Sequence, residues 1–273
     1  MQILKNINLT FFLVLIITTA KLLSQDFATP LDPEKMRNQK EVGILFGLGQ
    51  NFMSGNFRTE CDCPEFINGT KFGYSIGAIY EMDFASRFMW GAALIFSNRD
   101  IYSEYQIIED VRLQSVITGK LETAPIKFKH KANADFSYLT LMPYIKWNLT
   151  NFMFVRLGVS GSFVLNNKIK HEKELLQKTA RLSSGEIVSI KIDSENEFST
   201  IVEDGDFPQT NSFQISLDPM LGFNIPIEEN LFLSPVFQYS LPLSNISEKG
   251  ENFKVSGWRF ILELRLALNL RMQ

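Results

Sequence analysis

From residue 257 to residue 271 the sequence alternates without a break. Trp258, Phe260, Leu262, Leu264, Leu266, Leu268 and Leu270 fall on one side of an extended chain. Gly257, Arg259, Ile261, Glu263, Arg265, Ala267, Asn269 and Arg271 fall on the other. A helix would scatter these leucines round its circumference, whereas a strand puts the whole apolar set on one face. At about 3.3 Å per residue that face runs roughly 40 Å, longer than most strands of globular proteins.

Seven more segments alternate in weaker form: residues 41–50, 71–84, 87–97, 136–149, 152–165, 212–226 and 230–243. The first carries Val42, Ile44, Phe46 and Leu48, the fourth Leu139, Leu141, Pro143, Ile145, Trp147 and Leu149. With 257–271 this predicts eight antiparallel strands, an even number as in single-chain outer-membrane barrels. Short turns near Ala85-Ser86, Thr150-Asn151 and Glu228-Glu229-Asn230 join neighbours. The other gaps, 51–70, 98–135, 166–211 and 244–253, are polar and mostly long. Short turns on one side and long loops on the other predict an up-and-down transmembrane β-barrel, with the turns and both termini in the periplasm and the long loops extracellular.

The glycines decide which face meets lipid. Of the ten in these segments, Gly43, Gly47, Gly49, Gly73, Gly77, Gly91, Gly158, Gly222 and Gly257 lie on the polar face; Gly161 does not. The interior of an eight-stranded barrel is just wide enough for side chains to fill. The glycine-bearing face therefore points inward and the Leu/Phe/Trp face outward. Trp90, Trp147, Trp258, Tyr74, Tyr80 and Tyr239 share the outward face, several near strand ends as an interfacial girdle requires. The lumen receives Glu81, Lys146, Arg156, Asp218, Arg259, Glu263 and Arg265, four cations and three anions. An unpaired buried charge is costly, so these are expected to pair and, with Tyr138, Met142, Tyr144 and Gln238, to plug the barrel. A gated path for small ions is the alternative use of the same residues.

Ahead of the barrel, Lys5 precedes an apolar run over residues 9–20, too short to span a bilayer, and Leu22-Leu23-Ser24-Gln25 offers a cleavage point. Residues 1–24 read as a secretory signal peptide, an uncleaved anchor being the alternative. Residues 25–40, with Pro30 and Pro33, read as a flexible periplasmic lead-in, leaving 41–273 as the barrel domain. Removing Lys5 and Lys21 with the peptide moves the net charge from −3 to −5. With no long basic run, nucleic acid is excluded as a partner.

His130 and His171 fall in the polar gaps. The neighbours of His171, Lys168, Lys170, Glu172, Lys173 and Glu174, give it the look of a solvated charged loop. No motif builds the dyad that acid–base or nucleophilic catalysis needs, and no enzymatic activity is expected. Cys61-Asp62-Cys63-Pro64 offers two thiols, an incomplete metal site. Outside the cytoplasm, a loop-stiffening disulfide between Cys61 and Cys63, or pairing with another chain, is the expectation, and no cofactor is expected. Residues 98–135 and 166–211 are long enough to carry function. Within them, 101–111, 126–131, 186–193 and 197–203 keep some alternation. They are read either as hairpins continuing the strands above the membrane or as solvated loops, and their functional use would be a surface for a partner or ligand.

The leader, the alternating segments and the stretch Tyr138-Leu139-Thr140-Leu141-Met142-Pro143-Tyr144-Ile145-Lys146-Trp147-Asn148-Leu149, followed at once by another strand, resemble the PorT-like outer-membrane β-barrel domain family over residues 41–273. The resemblance implies an integral outer-membrane protein of a Gram-negative cell, in contact with outer-membrane lipid. It would be structural or bind envelope proteins through its loops, or be an accessory component of a secretion apparatus; a narrow channel or transporter is a further option. Many outer-membrane barrels end in an aromatic residue, whereas this sequence ends Leu270-Arg271-Met272-Gln273.

Overall fold

The computed structural model describes residues 40–59, 64–192 and 198–268. The expected signal peptide, nearly all of the lead-in, Cys61 and Cys63 lie outside the described residues. In chain order the strands are β1 (Lys40–Ser54), β2 (Thr70–Ala85), β3 (Phe88–Asn98), β4 (Ile101–Gln114), β5 (Leu121–Asn148), β6 (Met153–Leu175), β7 (Thr179–Arg181), β8 (Ile187–Ser189), β9 (Ser199–Asp206), β10 (Phe213–Phe223), β11 (Ile225–Glu228), β12 (Leu231–Pro242) and β13 (Lys254–Leu268).

Eight of these close a ring. β1, β2, β3, β5, β6, β10, β12 and β13 each pair antiparallel with the next, and β13 returns to β1. This is the eight-stranded meander that the alternation predicts. Some strand limits differ. The first runs on to Ser54, and the last begins at Lys254. The sixth predicted segment is broken at Asn224, whose side chain accepts a hydrogen bond from Arg265 and whose N–H donates to Phe152 at 2.7 Å.

Ile44, Phe46 and Leu48 of β1, Leu141, Ile145 and Trp147 of β5, and Phe260, Leu262, Leu264 and Leu266 of β13 are exposed on the outer wall. Near the short turns, Phe88 stacks on Trp147 at 5.9 Å and Tyr80 meets Trp90 at 5.9 Å. Near the opposite rim, Phe163 meets Phe213 at 5.1 Å and Phe237 stacks on Trp258 at 6.2 Å. About ten residues separate Trp147 from Ser137; at about 3.3 Å each and a tilt of about 40° they rise roughly 25 Å, the height of a barrel's apolar band. Inside, Gly91 lies opposite Tyr144 and Gly222 opposite Phe154, and a Cβ at either glycine would overlap the facing ring. The narrow lumen seats these aromatics only because the neighbouring strand has no side chain there.

β5 and β6 do not stop at the rim. They continue between β4 and β9 as a four-stranded sheet, β4-β5-β6-β9. The β7–β8 hairpin packs into the same lobe, its Ala180, Leu182 and Val188 sharing an apolar cluster with Ile126, Phe128 and Leu175. A second cluster, with Phe57, Phe66, Phe136, Ile169, Phe207 and Phe253, lies closer to the barrel mouth. Of the two readings of the long gaps, hairpins continuing the strands is the one the structure contains; segment 101–111 pairs wholly with β5. At the rim Ser137 pairs with Asn166 but Tyr138 with Val164, so Leu165 is an extra residue in β6. This β-bulge reverses the parity of the strand. Arg156, Ser160 and Ser162 are buried below it, Ile169, His171 and Leu175 above it.

Candidate functional site: lumen, cavity and outer lobe

Strand pairing places like charges side by side. Glu41 lies opposite Glu81 on β1 and β2, and Lys146 opposite Arg156 on β5 and β6. β13 adds Glu263 and Arg265. Lys146 and Arg156 find their opposite charges across the lumen, while Arg265 also meets Glu41 on the neighbouring strand and Glu263 on its own. Glu81 receives Arg156 at 2.6 Å, Lys146 at 2.7 Å and Arg265 at 3.0 Å, and the Tyr144 hydroxyl donates to it at 2.9 Å. Arg156 grips Glu263 with two nitrogens, at 2.5 and 2.9 Å. Arg265 also reaches Glu41 at 2.7 Å and Ser234 at 2.6 Å. The Phe154 ring lies 4.5 Å from the Arg156 guanidinium and 4.6 Å from the Lys146 ammonium. Three carboxylates thus meet three cations in a buried cluster near the short-turn end. Sequence reading missed Glu41, although it shares the parity of Gly43 and so the inward face.

Asp218 and Arg259 depart from the expected pairing: neither has an ion-pair partner among the described residues. The cause is Gln238, which lies opposite Arg259 on β12 and donates to Asp218 at 2.9 Å. Ser160 completes the carboxylate's shell at 2.6 Å. Arg259 turns to Asn51 at 2.5 Å and to the Asn98 carbonyl at 3.0 Å. Both residues line a cavity of about 30 Å³ shared with Ser75, Ser97, Arg99 and Thr140. A water occupies about 10–15 Å³ on this measure, so the cavity has room for about two. Arg99 bonds Ser240 at 2.9 Å and lies 5.6 Å over the Tyr138 ring, on the side of the outer lobe.

The histidines are not in a solvated loop. The bulge at Leu165 turns His171 inward, and both rings are buried in the outer lobe. Thr59 Oγ1 lies 3.1 Å from His171 Nδ1, and His171 Nε2 lies 2.8 Å from His130 Nδ1. Glu109 stands 3.4 Å from His130 Nε2 and pairs with Lys173 at 2.5 Å. Tyr105 stacks on His130 at 4.8 Å. Burial, His130 and Lys173 push His171 down to about 4; burial and Lys173 hold His130 below its ordinary value. Both rings are therefore neutral at pH 7. One proton assignment satisfies the chain: Thr59 donates to His171, His171 donates through Nε2 to His130, and His130 Nε2–H faces Glu109. Such a chain can pass a proton along its length. Its groups come from the first gap, β4, β5 and β6, so it also ties these segments together.

Residues 24–248 match the outer membrane protein beta-barrel domain family. No curated protein matches the chain. Solved structures similar to it include Ail, the attachment invasion locus protein of Yersinia pestis, in complex with the heparin analogue sucrose octasulfate (13% identity, 83% of this chain and 99% of that one, TM-score 0.30). The Neisserial surface protein NspA is similar at 12% identity, 82% and 96% coverage and TM-score 0.31. OmpT, an outer-membrane protease of Escherichia coli, is similar at 9% identity, 89% and 99% coverage and TM-score 0.30. None of these likenesses carries a function across. With a protease among the matches, however, the expectation of a chain without enzymatic activity does not stand. The family match covers most of the sequence, and the closed ring of outward-apolar strands agrees with it: the chain belongs to the outer membrane protein beta-barrel domain family of Gram-negative bacteria.

Proposed function

We propose that the barrel anchors the chain in the outer membrane and that the lobe standing on it is the working surface, binding a partner or ligand outside the cell. Residues 1–24 are removed on export in this reading, and the termini stay in the periplasm. The observation that carries it is the continuation of β5 and β6 past the rim into a lobe with its own apolar clusters. A barrel serving only as a membrane plug needs no such extension. An epitope inserted at Gly119, where φ is +67° and no atom crowds the site, tests the orientation. Antibody binding to intact cells is expected; binding only after the outer membrane is breached overturns the reading.

The finer resemblance to PorT-like barrels would make the partner a component of a secretion apparatus. A crosslinking pull-down from intact outer membranes separates that case from a structural role, because a dedicated partner is recovered with the barrel. The channel alternative has only the small polar cavity in its favour; steady conductance in planar bilayers would promote it.

A further inference from the structure

The far end of the lobe ends in an apolar point. Val116 and Ile117, in the β4–β5 turn, are 85% and 80% exposed, and Leu121 and Ile187 are exposed beside them. The turn is nonetheless well held. Gly119 N–H donates to Ser115 O at 3.0 Å, and Ser115 N–H to Lys120 O at 2.9 Å. Glu186 of the β7–β8 hairpin accepts from Ser115 Oγ at 2.5 Å and from Val116 N–H at 3.0 Å. Glu122 reciprocates, accepting from Ser183 Oγ and Ser184 N–H at 2.8 Å each. Each hairpin thus caps the other's turn with a carboxylate, and the aliphatic tip is displayed on a braced support.

These caps also set the charge of the crown. Residues 111–122 and 178–192 contain two acids, Glu122 and Glu186, and both are engaged in the turns. The same stretches carry Arg112, Lys120, Lys178, Arg181 and Lys191. Arg112, Lys120 and Arg181 are exposed and make no ion pair among the described residues. The result is a convex aliphatic tip with a basic rim.

We infer that this crown docks on an anionic phospholipid bilayer facing the cell, with Val116 and Ile117 entering the headgroup–acyl boundary and Arg112, Lys120 and Arg181 meeting lipid phosphates. The inference rests on the reading that the lobe lies outside the cell. Its chemistry favours lipid over protein. Protein hot spots are pocketed and rich in Trp, Tyr and Arg, with Val under-represented, whereas this tip is protruding and has no aromatic residue. Membrane-surface segments combine apolar residues with Lys and Arg, and their attraction to anionic headgroups is screened by salt. Two aliphatics make each contact weak and reversible, so many barrels on one surface act together.

The test immobilises the full chain in phosphatidylcholine nanodiscs and passes vesicles over it. Vesicles containing phosphatidylserine should be captured at least about fivefold better than pure phosphatidylcholine vesicles, and raised salt should reduce capture. Val116→Ser with Ile117→Ser should abolish capture, as should Arg112→Gln, Lys120→Gln and Arg181→Gln together. Near-UV circular dichroism shows whether each variant keeps its fold. The Gly119 epitope is read on intact cells in parallel. An accessible epitope without vesicle capture overturns the docking inference alone, while an inaccessible one overturns the orientation on which it rests. Equal capture by the serine variant, or a tip that retains a protein and ignores vesicles, also overturns it.

Discussion

The two halves of β5 differ in solvent and not in geometry. Below the rim, Leu139, Leu141, Ile145 and Trp147 point outward while Thr140, Tyr144 and Lys146 point in. Above it, Lys127, Lys129, Lys131 and Asp135 occupy the outer face while Ile126, Phe128 and Phe136 are buried. The inward residues keep even numbers from Ala124 to Lys146, so the strand does not break or roll. What reverses is polarity. In the membrane half the outer surround is hydrocarbon, so apolar side chains face it and polar ones fill the lumen. In the lobe the surround is water, and the hydrophobic effect drives apolar side chains inward. One strand thus carries two opposite amphipathic patterns joined in phase.

The sharpest way to break the comparison is to remove one cation from the lumen. Arg156→Met leaves Glu263 without its two-nitrogen grip and Glu81 short of one cation. It should cost about 3–5 kcal/mol, because the buried carboxylates lose compensation. Urea unfolding of the barrel in lipid vesicles measures it, and a loss below about 1 kcal/mol would mean that the cluster does not hold the lumen together.

The next effect comes from putting a cation on the outer face of each half. Leu264→Arg, outward on β13, should cost about 2–4 kcal/mol if it lies near the bilayer midplane. Ile201→Arg, exposed on β9 of the lobe and opposite Glu172, should stay within about 0.5 kcal/mol, as surface changes usually do. Folding yield into bilayers compares the two directly, and similar yields would refute the assignment of lipid and water to the two halves.

Acid should separate the halves by a comparable or smaller margin. His171 has its pKa lowered in the folded lobe to about 4, against an ordinary value near 6.5. Between those values the unfolded lobe binds the additional proton, so stability falls as pH drops from about 6.5 to about 4. The loss from this group is on the order of 2–3 kcal/mol. Hydrogen exchange followed over this range should show β4, the upper part of β5 and β9 opening before the ring strands. His171→Gln should flatten the pH dependence.

The smallest change is expected from surface ion pairs of the lobe. Lys129 meets Glu104 at 2.8 Å, partly in solvent. Lys129→Gln should cost less than about 1 kcal/mol, a sharp contrast with Arg156. A larger loss, measured by denaturant unfolding, would mean that the lobe depends on its charges much as the lumen does.

The alternation from Trp258 to Leu268 and the glycines on the opposite face were enough to specify an eight-stranded barrel and which side of it meets lipid. Strand parity is local, with a period of two, and the membrane imposes one polarity along the whole span, so both can be read from the chain alone. The lobe was harder to read because residues 124–136 invert that polarity, making a continuing strand look like the end of one. Leu165 then shifts the parity of β6 by one residue and brings His171 to His130, a meeting that no spacing along the chain announces. In the lumen, sequence parity placed Glu81, Lys146 and Arg156 inside, but barrel closure chose their partners and added Glu41. Gln238 kept Asp218 and Arg259 apart. Which way a side chain points follows from the backbone period next to it. Which side chain it meets depends on strands far away in sequence that curvature and closure bring across the lumen, and only the tertiary structure decides that.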